Sequence, residues 1–247
     1  MERITSRTNP RIQRARFLRE SKYRRETGRH FIEGDKLVRE AMTSGAELET
    51  VFVREGYAGS TDFPCELLEV TDSVMDALST AGTPQSLCAV AKTPIMALPE
   101  TFTGTVLLLE DLQDPGNVGT LIRTADALGA GSVILSPRCA DPFSPKTLRA
   151  SMGSVYHLPV YVTDIPAALR ALNDQGYTCL CGHLRGSEAL PPKTDRMALL
   201  VGNEGNGVTD EAAALCYPYR LPMPGRAESL NAAVFGAIML YELMRRG

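Results

Sequence analysis

Apolar residues in this chain fall into two alternating patterns. "HFIEG", "LETVFVRE", "CELLEV" and "SLCAVAK" are short runs with strand-like spacing. Between them, "DKLVREAMTSG" and "TDSVMDALSTAG" repeat apolar positions every three or four residues, and each ends on glycine, as helices do. Residues 8–25 are predicted as one basic helix. These elements make a small α/β domain over 1–92. "TPIMALPETFTG", residues 93–104, has two prolines and no period, and is predicted as a linker. The alternation then resumes over 105–247. "TVLLLED", "SVILS", "LPVYV", "YTCLCGH", "MALLVG" and "YRLPM" are predicted strands. Residues 117–128, "SPKTLRASMG", "IPAALRALNDQG", "TDEAAALC" and "SLNAAVFGAIMLYELMRR" are predicted helices. Strands that are apolar almost throughout, alternating with helices, predict a parallel sheet covered on both faces.

In such a sheet ligands bind beyond the carboxyl ends of the strands. Three loops qualify: "QDPGNVG" after "TVLLLED", "GNEGNG" after "MALLV", and "PMPGRAESLN" after "YRL". None is a Walker A loop, which needs G-x-x-x-x-G-K-[ST]. None opens a dinucleotide fold, because the glycine spacing is wrong and "SVILS" ends in Ser-Pro-Arg with no acid for a ribose. The same missing acid disfavours the common glycine-rich methyltransferase loop. The loops instead offer Asn117, Arg123, Glu204, Asn206, Ser229 and Asn231, with no histidine for a nucleophilic triad. Arginine is a fixed cation that forks onto phosphate, and asparagine and serine bind neutral groups. This set suits positioning a hydroxyl and a phosphate while a bound cofactor supplies reactivity.

Bulk properties add two points. Residues 1–40 carry 12 Lys/Arg against 6 Asp/Glu, a net of +6, whereas the remainder carries 14 against 23, a net of −9. A basic head on an acidic body points to a polyanionic partner for the head. Arg7, Arg11 and Arg14 are predicted to share a helical face that continues to Arg25. The six cysteines, at 65, 88, 139, 179, 181 and 216, include no C-x-x-C pair. They are read as reduced thiols, and no metal is expected. No apolar run reaches 18 residues and "MERITSRTNPRIQRARFLRE" has no signal-peptide centre, so no membrane association and a cytoplasmic location are expected.

"NVGTLIRTADALGA", "LLVGNEGNGV" and "LPMPGRAESLNAAVFGAIMLYE" resemble, in order, the three motifs of the SpoU/TrmH RNA 2′-O-methyltransferases of the SPOUT superfamily. "TNPRIQRARFLRESKYRRETGRHFIEGDKLVREA" resembles that family's N-terminal RNA-substrate-binding domain. The resemblance implies a parallel-sheet domain with a deep trefoil knot, S-adenosylmethionine (AdoMet) as cofactor, and a homodimer through the C-terminal domain. It implies methyl transfer to a ribose 2′-hydroxyl of rRNA or tRNA, with large-subunit rRNA favoured. The alternatives are a catalytically silent RNA-binding or ribosome-assembly factor and a knotted base methyltransferase.

The same resemblance assigns roles. Arg123 would orient the hydroxyl and bind the adjacent phosphate, since a guanidinium is a poor base. Asn117 and Glu204 would hold the site geometry. Ser229 and Asn231 match the family's S-L-N, with Ala233 where the family often has a second serine. Gly202, Gly205 and Gly207 would admit AdoMet to the backbone, with Leu200, Leu221, Met223 and Leu230 as apolar walls. Arg149 in "KTLRASMGS" is a further RNA contact or a structural residue. Read without the family, Asn117 and Ser229 are helix N-caps, Leu230 packs inward, Glu204 is a solvated carboxylate and Arg123 a surface cation.

Overall fold

The structure, a computed structural model, describes residues 1–94, 96–192 and 194–245. In chain order its elements are β1 (Glu2–Ile4), α1 (Pro10–Phe17), α2 (Ser21–Thr27), β2 (Arg29–Glu33), α3 (Asp35–Thr43), β3 (Leu48–Arg54), β4 (Glu66–Val70), α4 (Asp72–Leu78) and β5 (Leu87–Lys92). There follow β6 (Val106–Leu109), α5 (Pro115–Ala127), β7 (Ser132–Leu135), α6 (Pro145–Ser151), β8 (Val160–Val162), α7 (Ile165–Asp174), β9 (Thr178–Ser187), β10 (Met197–Val201), α8 (Asp210–Ala213), β11 (Tyr217–Tyr219) and α9 (Ala232–Arg245). They form two compact units: residues 1–94 with 143–156, and residues 95–142 with 157–247. No helix among the described residues is long and apolar enough to cross a membrane.

The first unit is a mixed sheet in the order β1-β4-β3-β5-β2, with β5 antiparallel to both neighbours. One apolar layer gathers Ile4, Ile12, Leu18, Phe31, Phe52 and Leu68 under α1 and α4. Another gathers Ile32, Val38, Val51 and Val53 under α3. The predicted basic helix 8–25 is in fact two helices, and Arg7 precedes both. Asn9 caps α1 by accepting from the Arg11 amide at 2.9 Å, with Pro10 at the first helical position. The break at 18–20 has a physical cause: the guanidinium of buried Arg24 donates to the carbonyls of Leu18 and Arg19, both at 2.8 Å. Carbonyls of the turn that follows α1 therefore find a partner inside the protein. Strand β1, three residues long, carried no readable alternation.

Residues 143–156, expected within the C-terminal domain, group with this first unit. Fully buried His30 meets the Tyr156 hydroxyl at 2.8 Å and Thr93 Oγ1 at 3.1 Å, with its ring 4.9 Å from that of Phe143. Glu33 accepts from the Thr80 amide at 2.8 Å, from Thr80 Oγ1 at 2.6 Å and from the Ser79 hydroxyl. Arg149, on α6, donates to Thr80 Oγ1 at 2.7 Å and lies 3.8 Å from Glu33. Its position therefore has a structural explanation within this unit.

The second unit is a six-stranded sheet, parallel throughout, in the order β11-β9-β10-β6-β7-β8. Val106, Leu108, Ala198 and Leu200 form its buried centre with Leu169 and Leu172 of α7. On the other face α5 packs against α9. Gly236 permits this approach, since a Cβ there would lie 2.5 Å from Leu121 Cδ2. Two boundaries differ from the sequence reading. The strand expected at "YRLPM" is Tyr217–Tyr219, and the last helix begins only at Ala232. Residues 220–231 adopt no regular structure.

Burial holds His30 neutral, with its pKa pushed down to about 3 by desolvation and by the charge of Arg24. A histidine depressed in the folded state contributes stability above its unfolded pKa and loses it as pH falls toward the folded value. Chemical denaturation at pH 6.5 and 4.5 should show wild type losing about 2–3 kcal/mol more than His30→Gln, from a slope of ~1.36 kcal/mol per pH unit.

Candidate active site

At the carboxyl end of β6 the chain turns through Asp111, whose φ of 56° is a left-handed conformation that aspartate tolerates better than most residues. Three loops meet there. Asp111 accepts from Ser136 Oγ at 2.6 Å and pairs with Arg138 at 2.5 Å, and its carbonyl accepts from Asn203 Nδ2 at 2.8 Å. Helix α5 then starts at Pro115, capped by Asp114, whose Oδ1 accepts from the Asn117 amide at 2.9 Å. Asn117 is thus not the cap, and its side chain is available to reach across to other loops.

Asn117 Nδ2 donates to Glu204 Oε1 at 3.0 Å, and Asn117 Oδ1 accepts from Asn231 Nδ2 at 3.0 Å. Asn231 Oδ1 in turn accepts from the amides of Ala233 and Val234, at 2.8 and 3.2 Å. The cap of α9 is therefore Asn231 rather than Ser229. The direction of the whole chain of bonds follows from that cap. An oxygen facing helix amides leaves the Asn231 amide group to donate to Asn117, whose own amide group then faces the carboxylate. Glu204 also receives the amides of Gln113 at 3.2 Å and Asp114 at 3.3 Å. Partial burial works against its ionisation, but the hydrogen bonds from Asn117 and from the amides of Glu204, Gln113 and Asp114 outweigh this and hold its pKa below the ordinary value.

The glycine loop after β10 closes on itself. Asn203 and Gly207 exchange backbone bonds at 3.0 and 2.9 Å, and Asn203 Oδ1 accepts from the amides of Gly205 and Asn206. A Cβ on Gly202 would lie 2.4 Å from the Gly207 carbonyl carbon, and Gly207 itself has φ +72°. Only glycine fits this crossing at both positions.

This loop borders a cavity of about 640 Å³. Gly202, Gly205, Gly207, Leu221, Met223 and Leu230 line it, as do Glu204, Ser229 and Asn231. Leu230 faces the cavity, 37% exposed, rather than packing inward. Leu200 does not line it: its side chain is fully buried on the opposite face of β10, and Val201 takes the lining position. The sequence reading missed the stretch Gly182–Arg185 in β9, together with Tyr219 and Phe235. The available signal was the glycine directly after the apolar run "YTCLC", since a glycine inside a strand marks the close approach of a neighbouring group. A Cβ on Gly182 would lie 2.6 Å from the Phe235 ring.

Arg123 stands apart. It is exposed on α5, is absent from the cavity wall, and makes no side-chain hydrogen bond or ion pair among the described residues. Six residues separate it from Asn117, about 9 Å along the helix axis and on a different face. Of the basic residues expected to meet RNA, Arg7 donates to the Ser73 carbonyl at 2.8 Å, and Arg11 pairs with Glu2 at 2.7 Å and Glu66 at 3.3 Å. Arg14 and Arg25 are exposed, with no such partner among the described residues.

Comparison with known proteins finds the profile of the SpoU rRNA Methylase family over residues 104–241 and that of the MRM3-like substrate binding domain over residues 9–89. A 23S rRNA (guanosine(2553)-2'-O)-methyltransferase, RlmP, of Bacillus subtilis is 36% identical, covering 98% of this chain and 99% of its own. The crystal structure of an AdoMet-bound rRNA methyltransferase from Sinorhizobium meliloti superposes with a TM-score of 0.88 at 32% identity, over 99% of this chain and 98% of that one. The AdoMet complex of the SpoU methyltransferase AviRb from Streptomyces viridochromogenes gives 0.87 at 27% identity, over 96% and 98%.

The hydrogen-bonded chain makes a titration prediction. Asn117→Ala removes one donor, so the Glu204 carboxyl pKa should rise; Asn117→Asp adds a like charge and should raise it further. Carbon-13 NMR of the Glu204 carboxyl measures this order. A depressed carboxylate contributes stability above its unfolded pKa and loses it as pH falls through the folded value. The stability gap between wild type and Asn117→Ala should therefore narrow in acid.

Proposed function

The chain belongs to the SpoU rRNA methylase family, and on that premise we propose that it transfers the methyl group of AdoMet to a ribose 2′-hydroxyl of large-subunit rRNA. The observation that carries this reading is the union of three loops by Glu204, Asn117 and Asn231 beside the glycine-walled cavity. The donor set suits AdoMet. Leu221, Met223, Leu230 and Phe235 give apolar surface for an adenine, and the backbone of the Gly202–Gly207 loop approaches without side chains. When bound, the cofactor supplies an electrophilic methyl on a sulfonium. The 2′-oxygen forms the new carbon–oxygen bond as the carbon–sulfur bond breaks, and the hydroxyl proton leaves to solvent or to the RNA.

Arg123 is assigned the hydroxyl and the adjacent phosphate, for which a permanent cation with forked donors is suited. It does not line the cavity of its own chain, which supports a homodimer in which it serves a partner's cavity. The outer side of α9 supports the same assembly. Val234, Ile238 and Tyr241 recur at i, i+4 and i+7 and are 48%, 38% and 53% exposed, an apolar stripe on a helix that also packs on α5. The deep trefoil knot of the C-terminal chain and a cytoplasmic location belong to the same reading.

Calorimetry should find one AdoMet site per chain. Arg123→Ala should keep that affinity within a few-fold while lowering methyl transfer on the order of 100-fold or more. Mass spectrometry of digested RNA should report a 2′-O-methylnucleoside; a methylated base would overturn the ribose assignment.

The dimer has its own check. Ile238→Glu should sediment as a folded monomer that binds AdoMet and has lost transfer.

A further inference from the structure

Phe17 ends α1 with 45% of its surface exposed. Its ring lies on that of Tyr23 in α2, with centroids 4.9 Å apart and planes inclined by only 19°. A single exposed aromatic needs no explanation. This pair differs in how it is held and in what surrounds it. The turn joining the two rings is fixed from beneath by buried Leu18 and by the Arg24 guanidinium bonded to the Leu18 and Arg19 carbonyls. The stack is thus organised before anything binds.

The second observation is charge. Several arginines of this unit are neutralised by acids: Arg3 by Glu55, Arg11 by Glu2 and Glu66, Arg29 by Glu49, Arg39 by Asp35, Arg54 by Asp72 and Asp76, and Arg149 by Glu33. Arg14, Arg16 and Arg25 are exposed and have no hydrogen bond or ion pair among the described residues. All three lie on α1 or α2, the helices that carry the rings, and Arg14 sits one turn before Phe17 on the same face. The acids here are Glu20, which precedes α2, and Glu26 in α2, which is 3.9 Å from Lys22. Open ring surface among unneutralised cations matches a partner that joins a flat π face to a phosphate, which is a nucleotide.

We propose that the Phe17–Tyr23 stack is a platform on which an unpaired base of the RNA substrate lies, with Arg14, Arg16 and Arg25 holding the flanking phosphates. This rests on the RNA reading above. RNA-binding proteins recognise splayed bases by stacking them on aromatic rings, a contact that tolerates any base and is largely independent of salt-sensitive phosphate binding.

The chain contains no tryptophan, so Phe17→Trp introduces a single fluorophore at the platform. Titration with a transcript of large-subunit rRNA should quench its emission, and a single-stranded oligoadenylate should do so more weakly. In filter binding to the transcript, Phe17→Leu should bind roughly tenfold or more weakly, Phe17→Tyr within about twofold of wild type. Phe17→Leu should leave the slope of log K against log salt unchanged. Replacing Arg14, Arg16 and Arg25 together by alanine should flatten it by about two to three. Circular dichroism and AdoMet binding check that each variant is folded. Wild-type affinity in Phe17→Leu, or tryptophan emission indifferent to bound RNA, would overturn the platform and leave the rings to a protein partner. Should wild type itself neither bind nor methylate the transcript, the RNA reading falls first and the platform with it.

Discussion

The site depends on the direction of one hydrogen-bonded chain. Asn231 must turn its oxygen toward the first amides of α9, because those amides have no other partner. Its nitrogen must then donate to Asn117, and Asn117 must donate to Glu204. A backbone requirement at the start of the last helix thus sets the orientation of two carboxamides and the ionisation of a carboxylate on a loop more than twenty residues earlier. Neither asparagine can flip without leaving a donor facing a donor.

The fold supplies the anchoring that such a chain of bonds needs. Each loop at the site leaves an apolar element of the second unit, and the central strands β6 and β10 are buried throughout. Buried Glu110, next to β6, accepts from the Thr209 amide and hydroxyl at 2.9 and 2.7 Å and so holds the entry to α8. Glycine is needed where the loop after β10 closes on itself, at Gly202, where β9 meets the Phe235 ring, at Gly182, and where α5 meets α9, at Gly236. The polar surface of the cavity combines loop backbone and the Asn203 and Asn231 carboxamides with the side chains of His183, Arg185, Glu204, Arg220 and Ser229, and Leu221, Met223 and Phe235 give its apolar walls.

Much of this was legible in the chain. Alternating apolar runs located most strands and helices, because period is set by burial, and the strand-end loops indicated where a ligand would sit. The sequence failed where long-range contacts decide. Nothing in "FLRESKYR" announces that Arg24 folds back onto the Leu18 and Arg19 carbonyls, at the turn where one expected helix becomes two. Leu200 and Val201 are equally apolar, and only the pleat of β10 decides which one faces the cavity. Asn117 and Asp114 are both good caps, and the choice between them rested on which side chain Glu204 required. Arg7 and Arg11 counted as free cations in the sequence, whereas Ser73, Glu2 and Glu66 already engage them.

Residues 143–156 belong by chain order to the stretch that folds the parallel sheet, yet they close the first unit through Tyr156 on His30 and Arg149 on Thr80. The protein is therefore not modular in the way its linear motifs imply. A recombination event at residues 93–104 that exchanged the N-terminal domain for another would bring in a sheet with no counterpart for His30 or Glu33. It would also strand a phenylalanine, a tyrosine and an arginine shaped for a departed neighbour. An exchanged N-terminal domain would fit this chain only with residues 143–156 altered to match, so two stretches far apart in sequence constrain each other through packing alone.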